Sequence, residues 1–135
     1  MKNLKSIKIF LFVTGMIGVI IGASLLLNPI EFEASAGIHL ENEVNILSEV
    51  RAPGGTLMAA GILIASGAFI SGMTYISIIL AALFYLAYGI SRTISILLDG
   101  VPTDTLVMAT VSEIIIGSIS LYILSKFPKP QYQGD

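Results

Sequence analysis

The chain has 135 residues, enough for one domain, and is 55% hydrophobic and only 12% charged, with a mean hydropathy of +0.90; soluble domains carry about 25% charged residues. That composition excludes a soluble enzyme, a disordered chain and a nucleic-acid binder, and the net charge of -2, from seven Lys+Arg against nine Asp+Glu, leaves no polybasic patch for nucleic acid or anionic lipid. With no Cys there is no disulfide or zinc–thiolate scaffold.

A bilayer core of about 30 Å takes about 20 apolar residues in a helix. Four stretches qualify, approximately 9–27, 53–73, 74–98 and 105–125. The first is uncharged and follows Lys2, Lys5 and Lys8; Asn28-Pro29 ends it, because proline cannot continue the hydrogen-bond ladder. A long connection from Ile30 to about Glu49 holds Glu31, Glu33, Glu41 and Glu43 and no Lys or Arg. Its Ile38, Leu40, Val44, Ile46 and Leu47 predict that it lies against the bundle or the membrane surface. Ala34-Ser35-Ala36 offers a competing reading, a cleaved signal peptide, but the apolar stretch exceeds the usual span of about 7–15 residues and Pro29, Glu31 and Glu33 intervene.

Pro53 fits the first turn of the second helix, where its missing N–H costs nothing, and Gly54 to Met73 is uncharged. Ser71-Gly72 makes a tight connection to the third span, whose only charge is Arg92. Asp99-Gly100-Val101-Pro102 is a turn signal, the fourth span carries only Glu113, and Pro128 and Pro130 close it before a polar tail. Basic residues gather in cytoplasmic loops. Lys2, Lys5 and Lys8 with Lys126 and Lys129 therefore place both ends inside, and the acidic loop and the Asp99–Asp104 turn outside. The expected architecture is all-α: a four-helix transmembrane bundle in a single domain 1–135, multi-pass in the cell membrane, with cytoplasmic N and C termini and one long acidic outer loop.

Small residues let helix backbones approach closely in lipid. Gly15, Gly18 and Gly22 on the first span, and Gly54, Gly55, Ala59, Ala60, Gly61, Ala65 and Ala68 on the second, fit packing inside one bundle. The sharper reading of the Gly15/Gly18/Gly22 face is a homo-oligomer seam.

Ionisable residues within spans are rare and face a bundle interior or cavity. Arg92 lies nine residues before Val101 and Glu113 twelve after it, so on antiparallel helices their depths differ by only about 4 Å, some 10–15 Å below the outer surface. Tyr85, Tyr88, Arg92, Ser95 and Asp99 share one helical face by their three- and four-residue spacing, as do Thr110, Glu113, Gly117 and Ser120. Facing each other, these stripes predict a polar pocket walled by Tyr85, Tyr88, Arg92 and Glu113, with Glu49, Arg51 and Asp99 at its mouth. The plain alternative is a pair of structural ion pairs, Arg92 with Glu113 and Arg51 with Glu49 or Asp99, that fix helix register.

Other signals are weak. His39, Glu41 and Glu43 supply a single imidazole with flexible carboxylates, too little for a metal site. Gly54-Gly55 beside Arg51 could hold an anion on backbone N–H groups, but close packing explains the pair as well. The five Met are scattered, and no nucleophile set, metal motif or cofactor motif is present.

Three runs carry a resemblance: Asn45-x-x-Ser48-Glu49-x-Arg51-Ala52-x-Gly54-Gly55, then Tyr88-Gly89-x-x-Arg92-x-x-Ser95-x-x-x-Asp99-Gly100-x-Pro102, then Glu113. Together they resemble domain of unknown function 4345, a family of small bacterial proteins with four predicted transmembrane helices, over nearly the whole chain. Pro53 departs from the aromatic or aliphatic residue of that pattern, which puts the start of the second helix in question. The resemblance implies a bacterial inner-membrane protein and brings no activity. Three function classes stand at this point. The first is binding, or help in transporting, a small polar molecule or lipid headgroup at Glu49, Arg51, Tyr85, Tyr88, Arg92, Asp99 and Glu113. The second is a structural or assembly subunit of a membrane complex. The third, ranked last, is a small lipid-modifying enzyme with Glu113 as general base. No cofactor and no metal is expected, and the expected partners are the bilayer and a small-molecule or lipid ligand.

Overall fold

A computed structural model describes residues 2–129, all helix and connection, with no strand among them. Five α-helices follow in order: α1 (Lys2–Leu27), α2 (Pro29–Ser35), α3 (Val44–Ser66), α4 (Thr74–Asp99) and α5 (Asp104–Lys126), with a 3-10 turn at Ser71–Met73 before α4. Pro130 and the tail after it lie outside the described residues. Three segments are long and apolar enough to cross a membrane: Asn3–Leu27, Ser71–Asp99 and Asp104–Lys126.

The helix that carries the second expected span, α3, is not one of them. It begins at Val44, nine residues before Pro53, and ends at Ser66. Glu49, Arg51, Pro53 and the glycine pair dilute its first half, and Pro53 stands inside the helix rather than in its first turn. The bond Pro53 cannot donate falls in a stretch where Glu49, Ala52 and Pro53 are exposed. At the other end, Gly67 lies against Ser77. The carbonyls left over there are taken by hydroxyls of α4, Ser77 Oγ donating to Leu63 O at 2.7 Å and Thr74 Oγ1 to Gly67 O at 2.9 Å. That hydroxyl cap stops α3 seven residues short of Met73.

The helices pair off. α1 runs antiparallel to α3 with backbone against backbone: Gly15 lies on Ala65, Gly18 on Gly61 and Gly22 on Met58. A Cβ on Gly61 would stand 2.5 Å from the Val19 nitrogen and 2.6 Å from the Gly15 carbonyl oxygen, so only glycine permits this approach. The Gly15/Gly18/Gly22 face is therefore covered within the chain, and a homo-oligomer through it would have to displace α3. α4 pairs with α5 by a different fit, Ile114 seated on Gly89 and Leu86 on Gly117.

The two pairs join mainly at one end. Leu11, Ile64, Ile78 and Ala81 are buried there, with Ile7, Phe10, Ile123, Leu124 and Phe127 packed around them. The beginning of α1 and the end of α5 thus meet at the same end. Farther along, Tyr85 Oη donates to Thr14 O at 2.6 Å and ties α4 to α1.

At the opposite end α2 links the pairs. Pro29 supplies the preset φ of a helix start. Gly37, at φ 83°, closes the helix with Gly37 N–H to Ala34 O at 3.0 Å and Ile38 N–H to Glu33 O at 2.9 Å, the Schellman arrangement that needs a left-handed residue. Thr103 precedes α5 but does not cap it; its Oγ1 donates instead to Ala36 O at 2.8 Å and fastens the end of α2 to the α4–α5 turn.

Candidate functional site

The site grows from the α4–α5 contact. Because Gly89 has no side chain, Ile114 can settle on α4, and this sets Glu113 opposite Arg92, one turn beyond Gly89. Arg92 Nε donates to both carboxylate oxygens of Glu113, at 3.1 Å and 3.3 Å. The side chain of Arg92 is 37% exposed and that of Glu113 17%. The two terminal amino groups of the guanidinium have no hydrogen-bond partner among the described residues.

Arg92 also lines a cavity of about 290 Å³ with Ser95, Ile96, Asp99, Leu106, Thr110 and the Gly100–Pro102 turn. Asp99 is held there by Ser95 Oγ, which donates to Oδ2 at 3.1 Å. Tyr88 is half-buried within the field of Arg92 and Glu113, and its hydroxyl has no partner among the described residues. Thus Arg92 and Asp99 line one cavity and Glu113 is paired to Arg92, whereas Tyr88 and Glu113, expected as walls, are not on the cavity wall.

Three expected residues lie elsewhere. Tyr85 spends its hydroxyl on the α1 backbone. Arg51 does not meet Glu49 or Asp99: its Nη1 donates to the carbonyl of Leu26 and, at 3.4 Å, to that of Leu27. The last turn of α1 has no basic residue of its own, so its orphan carbonyls and negative dipole end attract this guanidinium. Arg51 sits by a separate, wide-open groove of about 680 Å³ with Leu26, Val44, Leu47, Ser48, Ala52, Gly55 and Thr56. No residue lines both cavities. Glu49 is exposed nearby without a side-chain partner among the described residues. Matching depth had placed Arg51 at the mouth of the Arg92 pocket, but depth carries no information about which helix pair a residue faces.

One neighbouring charge was missed. Glu33, on α2, lies in the field of Arg92 without touching it; burial raises its carboxyl from the ordinary value, and the guanidinium draws it part of the way back. Pro29 followed by Glu31 is a helix-start signature within the connection, and it would have shown that Glu33 stands on a short helix rather than in a loop. The site itself holds one cation, Arg92, with two carboxylates: Glu113 paired to it and Asp99 on the cavity wall.

Three helices long and apolar enough to cross a membrane, with an ion pair between two of them, give an all-helical chain of membrane-protein composition. The chain belongs to the family called domain of unknown function 4345, whose family model matches residues 6–124. No curated protein and no solved structure matches it.

Proposed function

We propose that the chain is a multi-pass protein of the cell membrane that binds, or helps to transport, a small polar molecule or lipid headgroup in an outward-facing pocket at Arg92, Glu113, Asp99 and Tyr88. In this reading α3 is the fourth span of a transmembrane bundle. Its packing along α1 supports this, with the Glu49–Arg51 stretch projecting past Leu27 to headgroup level. Both termini are cytoplasmic: Lys5, Lys8, Lys126 and Lys129 lie toward the joined end, while Glu31, Glu33, Asp99 and Asp104 lie toward the other.

The observation that carries the reading is a salt-bridged arginine on the wall of a cavity with its terminal donors unspent. Charged residues inside a membrane are costly and mark substrate paths. Native mass spectrometry of gently extracted protein tests it, comparing wild type with Arg92→Gln and Glu113→Gln. A bound small molecule or lipid on wild type, lost from both folded variants, is the expected result. Wild type that carries nothing, with both variants unfolding, overturns it.

One observation favours a second reading, a structural or assembly subunit: Arg92 and Glu113 already satisfy each other at 3.1 Å, as a pair that only fixes helix register would. The same experiment separates the two readings.

A further inference from the structure

Resting on the pocket reading above, we infer that the ligand is a zwitterion carrying an ammonium a few bonds from an oxyanion, the oxyanion on Arg92 and the ammonium on Asp99. A guanidinium has five N–H donors. Glu113 engages only the one on Nε, so the four on the terminal amino groups remain for an oxyanion. Planar two-point pairing with oxyanions is what arginine does best.

Asp99 supplies the other half. It stands in the last turn of α4, where the helix dipole disfavours a carboxylate, and that turn has no basic residue. Ser95 orients it, and no cation pairs with it among the described residues. The fold gains nothing from a negative charge in that place; a bound ammonium offsets it.

The charge count removes the simpler ligands. A plain anion on the terminal amino groups of Arg92 would leave Asp99 unmatched. A plain cation on Asp99 would leave those amino groups unmatched. Arg92 and Asp99 are two turns apart on one face, about 10 Å of helix rise, so a single ion cannot touch both, whereas a molecule several bonds long can. The cavity of about 290 Å³ holds a group of headgroup size. Of its lining, Val101 is largely exposed and Ile96 and Leu106 partly so, an apolar edge suited to the acyl part of a lipid. The same chemistry occurs in an ethanolamine phospholipid headgroup and in a free aminoalkyl phosphate.

The test uses the full chain in nanodiscs. In discs of equal phosphatidylethanolamine and phosphatidylglycerol, native mass spectrometry counts the lipid that stays bound after release. Wild type should retain the ethanolamine lipid about tenfold over the glycerol lipid, a difference of about 1.4 kcal/mol. Asp99→Asn, at an exposed position, should erase the preference while lipid is still retained, and Arg92→Gln should lose both lipids. A second arm titrates O-phosphoethanolamine into phosphatidylcholine discs. Saturable binding there that needs Asp99, without retention of the ethanolamine lipid, makes the ligand the free molecule. Equal or greater retention of phosphatidylglycerol by wild type, or an unchanged preference in Asp99→Asn, overturns the zwitterion. The pocket itself then survives if Arg92→Gln still abolishes retention. No retention of either lipid and no binding of phosphoethanolamine by wild type overturns both.

Discussion

The two helix pairs are held together by different means. Along α1 and α3, backbone meets backbone at Gly15, Gly18, Gly22 and Gly61, and the one nearby arginine, Arg51, is absorbed by the carbonyl end of α1. Along α4 and α5, branched side chains sit on single glycines, and the arginine meets a carboxylate while its outer edge stays open to a cavity. Both arginines keep unspent donors and both line a cavity, Arg51 bonding only through Nη1. What sets Arg92 apart is its carboxylate partner and the second carboxylate, Asp99, on the wall of the same cavity, and this contrast locates the candidate site in the α4–α5 pair.

The contrast breaks first at the glycines. Gly61→Val puts new atoms against the Val19 nitrogen and the Gly15 oxygen, backbone that cannot move aside. Overpacking typically costs about 1–3 kcal/mol and occasionally more, and this position should lie at or above the top of that range. Gly89→Ala meets the Cδ1 and Cγ1 of Ile114 at 2.7 Å and 2.9 Å, atoms of a side chain that can shift, and the Ile114 nitrogen only at 3.1 Å, so it should lie lower in that range. Thermal unfolding in detergent gives the comparison. Equal losses in the two variants would mean that the pairs are packed alike after all.

The charges break it next. Removing one partner of a fully buried ion pair costs about 3–5 kcal/mol. With Arg92 37% exposed, the loss for Arg92→Gln or Glu113→Gln should fall to about 1–3 kcal/mol. The double variant should cost less than the two singles added, because each single leaves an orphan charge and the double leaves none. Arg51→Gln removes only a helix-end interaction, worth about 0.3–1 kcal/mol at the surface and up to about 2 kcal/mol where partly buried, as Arg51 is. A loss from Arg51→Gln as large as that from Arg92→Gln would place the two arginines in the same structural role.

How much of this could be seen in the sequence follows from the same physics. The apolar runs within α1, α4 and α5 declare themselves by hydropathy. The meeting of Arg92 with Glu113 follows from counting residues on either side of a short turn, since a tight hairpin fixes register. α3 is harder to see, because Glu49, Arg51 and Pro53 interrupt its apolar pattern although the helix continues through them. The surroundings of Arg51 were not legible, because the carbonyls that capture it belong to a helix end 24 and 25 residues away. α2 was within reach through Pro29, but nothing in residue spacing points Glu33 toward Arg92.

Glu33 gives the smallest and sharpest test, because it stands on α2, whose end Thr103 fastens to the α4–α5 turn, and feels the charge of Arg92. Burial raises its carboxyl from the ordinary 4.5, so the folded chain keeps that proton to a higher pH than the unfolded chain does. Its contribution to stability is therefore fully present below the ordinary carboxylate value and is lost as pH rises through the raised one. Glu33→Gln should flatten that part of the unfolding profile, read as Tm while the pH is raised from the ordinary carboxylate value of 4.5. Arg92 opposes the rise. In Arg92→Gln the carboxyl should go higher still, and the loss should extend to higher pH, whereas Arg51→Gln should leave the profile in place. A profile that shifts with Arg51 and not with Arg92 would move α2 to the α1–α3 side and remove Glu33 from the candidate site.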